Sequence, residues 1–290
     1  MEPTHPSPSS PQGNAPPPRE KGLLPLRHFL LALQFFTRLP VTGRLAEWVG
    51  FSPAMLRASA AHFPGVGWVV GASSGALLYA LGWLLPSQPA AAWVAALLST
   101  VFTVMLTGAF HEDGLADLAD GLGGSLNRER ALDIMKDSRI GTYGALALVL
   151  AAATKVALLA LMVQSGGWAL AASALFAAHV TSRLMPLAII RTLPHVGDTA
   201  ASKSKPLADA IGLAGLLVGL LWWGGAMAVV WAWQPGVRWW VPLLGALFGL
   251  GWMWRLLSHR LQGFTGDGLG ATQQVAEIAF YLGLVLTLGA

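Results

Sequence analysis

The chain has 290 residues, 54% of them hydrophobic and only 11% charged, with 34 Gly and 13 Trp. A soluble domain carries about 25% charged residues, so this composition excludes an ordinary water-soluble globule and belongs with polytopic membrane proteins. A formal net charge of +4 is too small to argue for nucleic acid, and the absence of Cys excludes disulfides, thiolate metal sites and cysteine nucleophiles.

Residues 1–22 carry seven prolines with Ser, Gly and Asn and almost nothing to bury. They read as a disordered tail, without the basic start and apolar core of a secretory signal. Residues 23–36 form a short apolar stretch with basic residues on both sides. At about 14 residues it is expected to lie on the membrane or re-enter it.

Apolar segments of about 17–25 residues follow, each long enough to cross a bilayer: 63–85, 90–110, 141–163, 167–190, 207–233, 239–257 and, shortest, 275–290. The expected fold is all-α, a polytopic integral membrane helical bundle of about seven transmembrane helices plus the short N-terminal helix. Residues 23–290 then make one membrane-embedded catalytic domain. Fourteen of the 18 Lys and Arg fall before the first span or in the loops 111–140, 191–206 and 258–274, which this topology puts on one side. Arg238 alone falls in a connection on the other side, so the charged loops are expected in the cytoplasm. Trp231, Trp233, Trp239 and Trp240 bracket one outward connection as an aromatic belt would.

The charge is concentrated further. Of 14 Asp and Glu, seven lie between Glu112 and Asp137. Asp113, Asp117 and Asp120 stand at i, i+4 and i+7, which places them on one face of a helix, whereas Glu112 points about 100° away. Carboxylates this dense repel one another unless a cation holds them. A solvated acidic face would explain an isolated pair; clustering beside glycines and between apolar spans favours one or two Mg²⁺ ions with open positions for phosphate oxygens. Glu112, Asp113, Asp117 and Asp120 are the candidate metal ligands. His111 is a candidate base or ligand, equally readable as a structural hydrogen-bonding residue.

Two partners are expected on the same face. Lys136 and Arg139, three apart on a helix, would clamp a diphosphate around Asp137, Arg suiting bidentate phosphate contacts; anchoring of the next span at the interface is the plainer alternative. In Gly263-Phe264-Thr265-Gly266-Asp267-Gly268-Leu269-Gly270, four glycines around one Asp free backbone amides to face a phosphate, although a turn explains glycines equally well. Asp267 is a further candidate for a metal or a ribose hydroxyl. Arg183, inside a span, should face the bundle interior or a cavity and, with Arg191, Lys203 and Lys205, form a positive rim for anionic substrates. Lys155 has no assignment.

The runs His111-Glu112-Asp113-Gly114-Leu115-Ala116-Asp117-Leu118-Ala119-Asp120-Gly121 and Lys136-Asp137-Ser138-Arg139-Ile140-Gly141-Thr142-Tyr143-Gly144 resemble the signatures of the cobalamin synthase (adenosylcobinamide-GDP ribazoletransferase) family. Phe36-Thr37-Arg38-Leu39-Pro40, Phe63-Pro64-Gly65-Val66-Gly67, Thr265-Gly266-Asp267 and Leu269-Gly270-Ala271 extend the resemblance from about residue 23 to the end, in family order. Gln262 departs from it, standing where a glycine is common. The resemblance implies a multi-pass enzyme of the bacterial inner membrane, active on the cytoplasmic side. It would use Mg²⁺ to join adenosylcobinamide-GDP to α-ribazole or α-ribazole 5′-phosphate, giving adenosylcobalamin or its 5′-phosphate and GMP. Its partners would be these substrates and the bilayer, with homo-oligomers or other late cobalamin-pathway enzymes compatible with it.

The expected mechanism has the aspartates hold Mg²⁺ against the diphosphate while Lys136 and Arg139 neutralise the leaving nucleotide. Asp120 or Asp137 takes the proton of the attacking hydroxyl, and Arg183, Thr265, Gly266 and Asp267 bind substrate. CDP-alcohol phosphotransferases do related chemistry, but the Ala-Arg pair of their motif is missing. Membrane prenyltransferases pair two acidic motifs, and Asp267 alone does not make a second. A transporter would want its acids at mid-membrane depth.

Overall fold

A computed structural model describes residues 23–197 and 211–288, so the Pro-rich tail, Lys203 and Lys205 lie outside the described residues. Helix α1 (Leu24–Phe36) starts at a proline in its first turn and turns Leu31, Ala32 and Phe36 into the core. At 13 residues it is about 20 Å long, too short to cross a bilayer. Two short helices, α2 (Gly43–Val49) and α3 (Pro53–Ser59), pack on it; the Ser52 hydroxyl caps α3 by accepting from the Met55 N–H at 3.1 Å. A single 3₁₀ turn leads into α4 (Phe63–Leu84). Then come α5 (Pro89–Thr107), α6 (Phe110–Gly124), α7 (Arg128–Ile134), α8 (Thr142–Thr192), α9 (Leu213–Trp233), α10 (Trp240–Arg260) and α11 (Gly266–Val285).

Among the described residues, five stretches are long and apolar enough to span a membrane: Pro53–Leu84, Pro89–Thr107, Thr142–Thr192, Leu213–Trp233 and Trp240–Arg260. The third has 51 residues, which as one straight helix would reach about 77 Å, more than twice the ~30 Å hydrocarbon core. It breaks instead at Gly167 (φ 83°), a backbone conformation glycine adopts without strain. Its two arms are the expected segments 141–163 and 167–190. Large side chains on the outer faces, such as Trp83, Leu221 and Phe248, are 75% or more exposed, which suits hydrocarbon rather than water.

The last expected span differs most. Helix α11 begins at Gly266, nine residues before the apolar segment, and carries buried Gln273, Gln274 and Glu277. Apolarity misses its first nine residues, where Gln273 and Gln274 are buried in the bundle rather than turned to lipid. It packs on α6, α8 and α10.

Close helix contact is made by small residues, as in membrane bundles generally. Gly67, Gly71 and Gly75 repeat every fourth position on α4, and a Cβ at each would run into the backbone near His179, Phe176 and Ala172 respectively. Residue numbers rise along α4 as they fall along α8, so α4 lies antiparallel to the second arm.

Candidate active site

The acidic helix is set off from the preceding span by a tight turn. Helix α5 ends at Gly108 (φ 65°, ψ 32°) and Ala109 (φ 59°) starts α6, both left-handed. A Cβ on Gly108 would strike the Arg38 guanidinium, and the Arg38 N–H donates to the Leu106 carbonyl at 2.7 Å. The α6 N-terminus therefore lies against α1 and the α11 N-terminus instead of continuing α5.

Helices α6 and α11 meet through glycine. A Cβ on Gly114 would come within 2.9 Å of the Asp267 backbone, and one on Gly270 within 3.3 Å of the His111 carbonyl. This approach brings Asp267 to the side of α6 that carries Asp113 and Asp117. Burial, followed by the charges of Asp267, Asp113 and Asp120, pushes the Asp117 carboxyl up to about 7. Burial and the Asp113 charge push Asp267 up to about 6, against a lowering contribution from the Thr265 hydroxyl. Thr265 is also the N-cap of α11, accepting from the Gly268 N–H at 3.1 Å, and Gly266 is the first helical residue.

Asp117 and Asp267, two carboxyls held this far above their ordinary value beside the Asp113 charge, are short of a cation. Among the described residues, no group of three or more His, Asp or Glu is arranged to hold a metal ion unaided. Mg²⁺ keeps several waters and commonly takes one or two carboxylates plus substrate phosphates, so Asp113, Asp117 and Asp267 fit a shell that a substrate completes.

The other sequence candidates sit differently. Asp120 is buried, and both its oxygens are engaged: the Gly141 N–H donates to Oδ2 at 2.7 Å and the Gly144 N–H to Oδ1 at 2.8 Å. A Cβ on either glycine would collide with that carboxylate, so Asp120 clasps α6 to the start of α8. Glu112 points away from the trio, its Oε1 accepting from Gln274 Nε2 at 3.1 Å.

Lys136 and Arg139 do not share a helix, because α7 ends at Ile134. The Asp137 carboxylate accepts from the Arg139 N–H at 3.1 Å, a local turn that competes with helix, and pairs with its guanidinium at 2.6 Å. That pairing holds Asp137 down to about 2, which makes it a poor proton acceptor. Lys136 lies 3.6 Å from Asp133. This loop, with Asp120 and Arg130, lines an open pocket of about 290 Å³. Arg130 was not among the sequence candidates, though its position in the same charged stretch was the available signal.

Behind α6 runs a buried polar chain that the sequence reading missed apart from Arg183 and the unassigned Lys155. Lys155 and Glu277 pair at 2.5 Å. Glu277 also accepts from Gln273 Nε2 at 2.7 Å and the Tyr281 hydroxyl at 2.9 Å. Gln274 Nε2 donates to Gln273 Oε1 at 2.9 Å and so links this centre to Glu112. Arg183 contacts His179 at 3.0 Å. His111 is buried, stacks on Phe36, and is kept neutral by that burial and the nearby Arg183 charge.

Comparison with known proteins assigns the chain to a family. A protein named adenosylcobinamide-GDP ribazoletransferase from Albidiferax ferrireducens is 57% identical over 281 residues, covering 91% of this chain and 99% of that protein. One of the same name from Polaromonas naphthalenivorans is 56% identical over 274 residues, covering 91% and 99%. A more distant one from Vibrio parahaemolyticus is 36% identical, covering 89% and 91%. No solved structure matches. The family model described as cobalamin-5-phosphate synthase matches residues 28–285, nearly the whole membrane bundle with every candidate above, and the chain belongs to that family.

Proposed function

We propose that this chain joins adenosylcobinamide-GDP to α-ribazole or its 5′-phosphate at the cytoplasmic face of the bacterial inner membrane, with Mg²⁺, releasing GMP. The ribose hydroxyl attacks the cobinamide-side phosphorus, the P–O bond to GMP breaks, and the hydroxyl proton leaves to a base. What supports this reading is the crowding of Asp113, Asp117 and Asp267 across a glycine-tight helix contact in a chain of this family.

Asp113, Asp117 and Asp267 would hold Mg²⁺, which neutralises the diphosphate and orients it for in-line displacement. Arg130 and Arg139, on the open pocket beside them, would take the charge of the departing nucleotide. Lys136 would add to that field. Asp120 serves as the clasp that fixes α6 against α8. Thr265 and Gly266 set the start of α11, so that Asp267 faces α6.

The test is turnover of adenosylcobinamide-GDP and α-ribazole 5′-phosphate by the chain reconstituted in lipid, with and without chelator. GMP release should stop with the chelator and return with Mg²⁺. Asp113→Asn and Asp117→Asn should each lower turnover by about 100-fold or more. Near-normal turnover in both variants defeats the metal assignment, and release of CMP or pyrophosphate from other substrates would transfer the chain to a different reaction class.

A further inference from the structure

One pocket at this site has no part in the phosphate chemistry. It encloses about 40 Å³ between α1, α4, α6, the second arm of α8 and the start of α11. Four phenylalanines line it. Phe36 meets Phe63 edge-on at 4.6 Å and Phe110 edge-on at 5.1 Å, and lies nearly parallel to the His111 ring at 5.6 Å. Phe35 packs edge-on against Phe110 at 5.2 Å. These rings give the pocket an aromatic lining, which suits another flat ring.

The polar side of the pocket is sparse and unfinished. Arg183 lines it, is 3% exposed, and spends Nη1 on His179, while its Nε has no partner. A buried guanidinium N–H without an acceptor is costly, and native interiors seldom leave one. The pocket also adjoins the chemistry: His111 precedes Glu112 and Asp113 on α6, and Gly266 precedes Asp267 on α11.

We propose that this pocket binds the aromatic base of the acceptor nucleoside, a benzimidazole-type bicycle whose one free ring nitrogen accepts from Arg183. The proposal rests on the transfer reaction above and deepens it. Guanine, the other flat base in that reaction, carries several donors and acceptors on its rim that phenylalanine walls would leave unpaired. The open pocket bearing Arg130 and Arg139 is the better place for the nucleotide. At about 40 Å³ the aromatic pocket is narrow, so a bicycle enters as the partly exposed Phe35 and Phe110 turn outward.

The experiment titrates the full chain in lipid nanodiscs with α-ribazole, with the matching indole riboside that lacks the ring nitrogen, and with GMP, alongside a turnover assay on the same preparation. The indole riboside should bind about tenfold or more weakly than α-ribazole. Leu269→Trp, which fills the pocket, and Phe110→Leu, which removes a wall, should each weaken α-ribazole about tenfold and leave GMP within about twofold. Retained GMP binding reports that a variant is folded; if one variant loses it, the other decides. Wild-type affinity for α-ribazole in the folded variants, or equal weakening of GMP, overturns the pocket assignment, and equal binding of the indole riboside overturns the Arg183 contact. A wild-type chain that turns over both substrates while failing these comparisons defeats the inference alone. A wild-type chain with no turnover removes the reaction it stands on.

Discussion

Asp117 and Asp120 are three residues apart on one helix, yet they meet opposite surroundings. Asp120 finds two backbone N–H groups where Gly141 and Gly144 let it in, and Asp117 finds only other carboxylates. Periodicity showed which acids share a face, but the partner each meets depends on α8 and α11, more than 20 residues away. Gln262 is the converse, a local departure with a local meaning. It stands where a glycine is common in the resembling family and adopts φ 55°, a strained conformation for a side-chain-bearing residue. The crowding at Asp117 has a consequence for stability. A carboxyl held above its ordinary value of 3.8, here up to about 7, favours the fold while protonated, and that contribution fades as pH rises from about 4 through about 7. In chelator, the melting temperature should therefore fall across this window. Mg²⁺ should raise it more at pH 8 than at pH 5, because only the ionised trio binds the ion. Asp117→Asn should flatten both effects; an unchanged pH profile in that variant, followed by thermal unfolding in detergent, would remove Asp117 from the cluster.

Helices were legible where side chains face lipid and illegible where they face one another. Apolar runs located α4, α5, α9, α10 and both arms of α8, because each turns a large apolar surface outward. They placed the last span late, since α11 spends Gln273, Glu277 and Tyr281, four apart, on the bundle interior. Lys136 and Arg139 do not share the helix expected of them for a similar reason: an Asp–Arg turn is a local hydrogen-bond choice that periodicity does not register. Charge accounting held an unused signal. Lys155 and Arg183 inside spans require a buried acid, and Glu277 is the acid in the last span. Removing one member of such a pair strands the other, at a cost of roughly 3–5 kcal/mol, whereas replacing both with apolar residues is often neutral. Glu277→Gln should lower the melting temperature sharply in detergent, and Lys155→Met combined with Glu277→Leu should recover much of it. If the double variant is as unstable as the sum of its single variants, the two residues do not act as a pair.

At the scale of the molecule, every charged group given a role in catalysis lies at one end of the bundle. The α6 acids, the start of α11 and the loop before α8 are held together there, with Arg260 donating to the carbonyls of Leu122 and Ser125 at 3.0 and 2.8 Å. The Gly167 break lies at the opposite end, where Trp168 packs on Gly82 beside the 86–89 connection. Both outer ends of α8 thus return to the acidic face, one at Asp120 and the other through the backbone bonds joining residues 194–196 to Phe264. This agrees with the charge asymmetry of the sequence, which puts basic loops on a single side and only Arg238 on the other. The sidedness itself is testable without background, because the chain contains no Cys. Ser87 and Ser138 are exposed, and Gly236 has nothing within 4 Å of an added Cβ. A membrane-impermeant maleimide should label Ser87→Cys and Gly236→Cys from outside intact spheroplasts, and Ser138→Cys only in inverted vesicles. Labelling of Ser138→Cys from outside would place the carboxylate trio away from the cytoplasm, out of reach of a nucleotide-activated substrate made there. Labelling of Ser87→Cys and Ser138→Cys from the same face would instead overturn the placement of α5, since that single crossing between the two positions puts them on opposite sides.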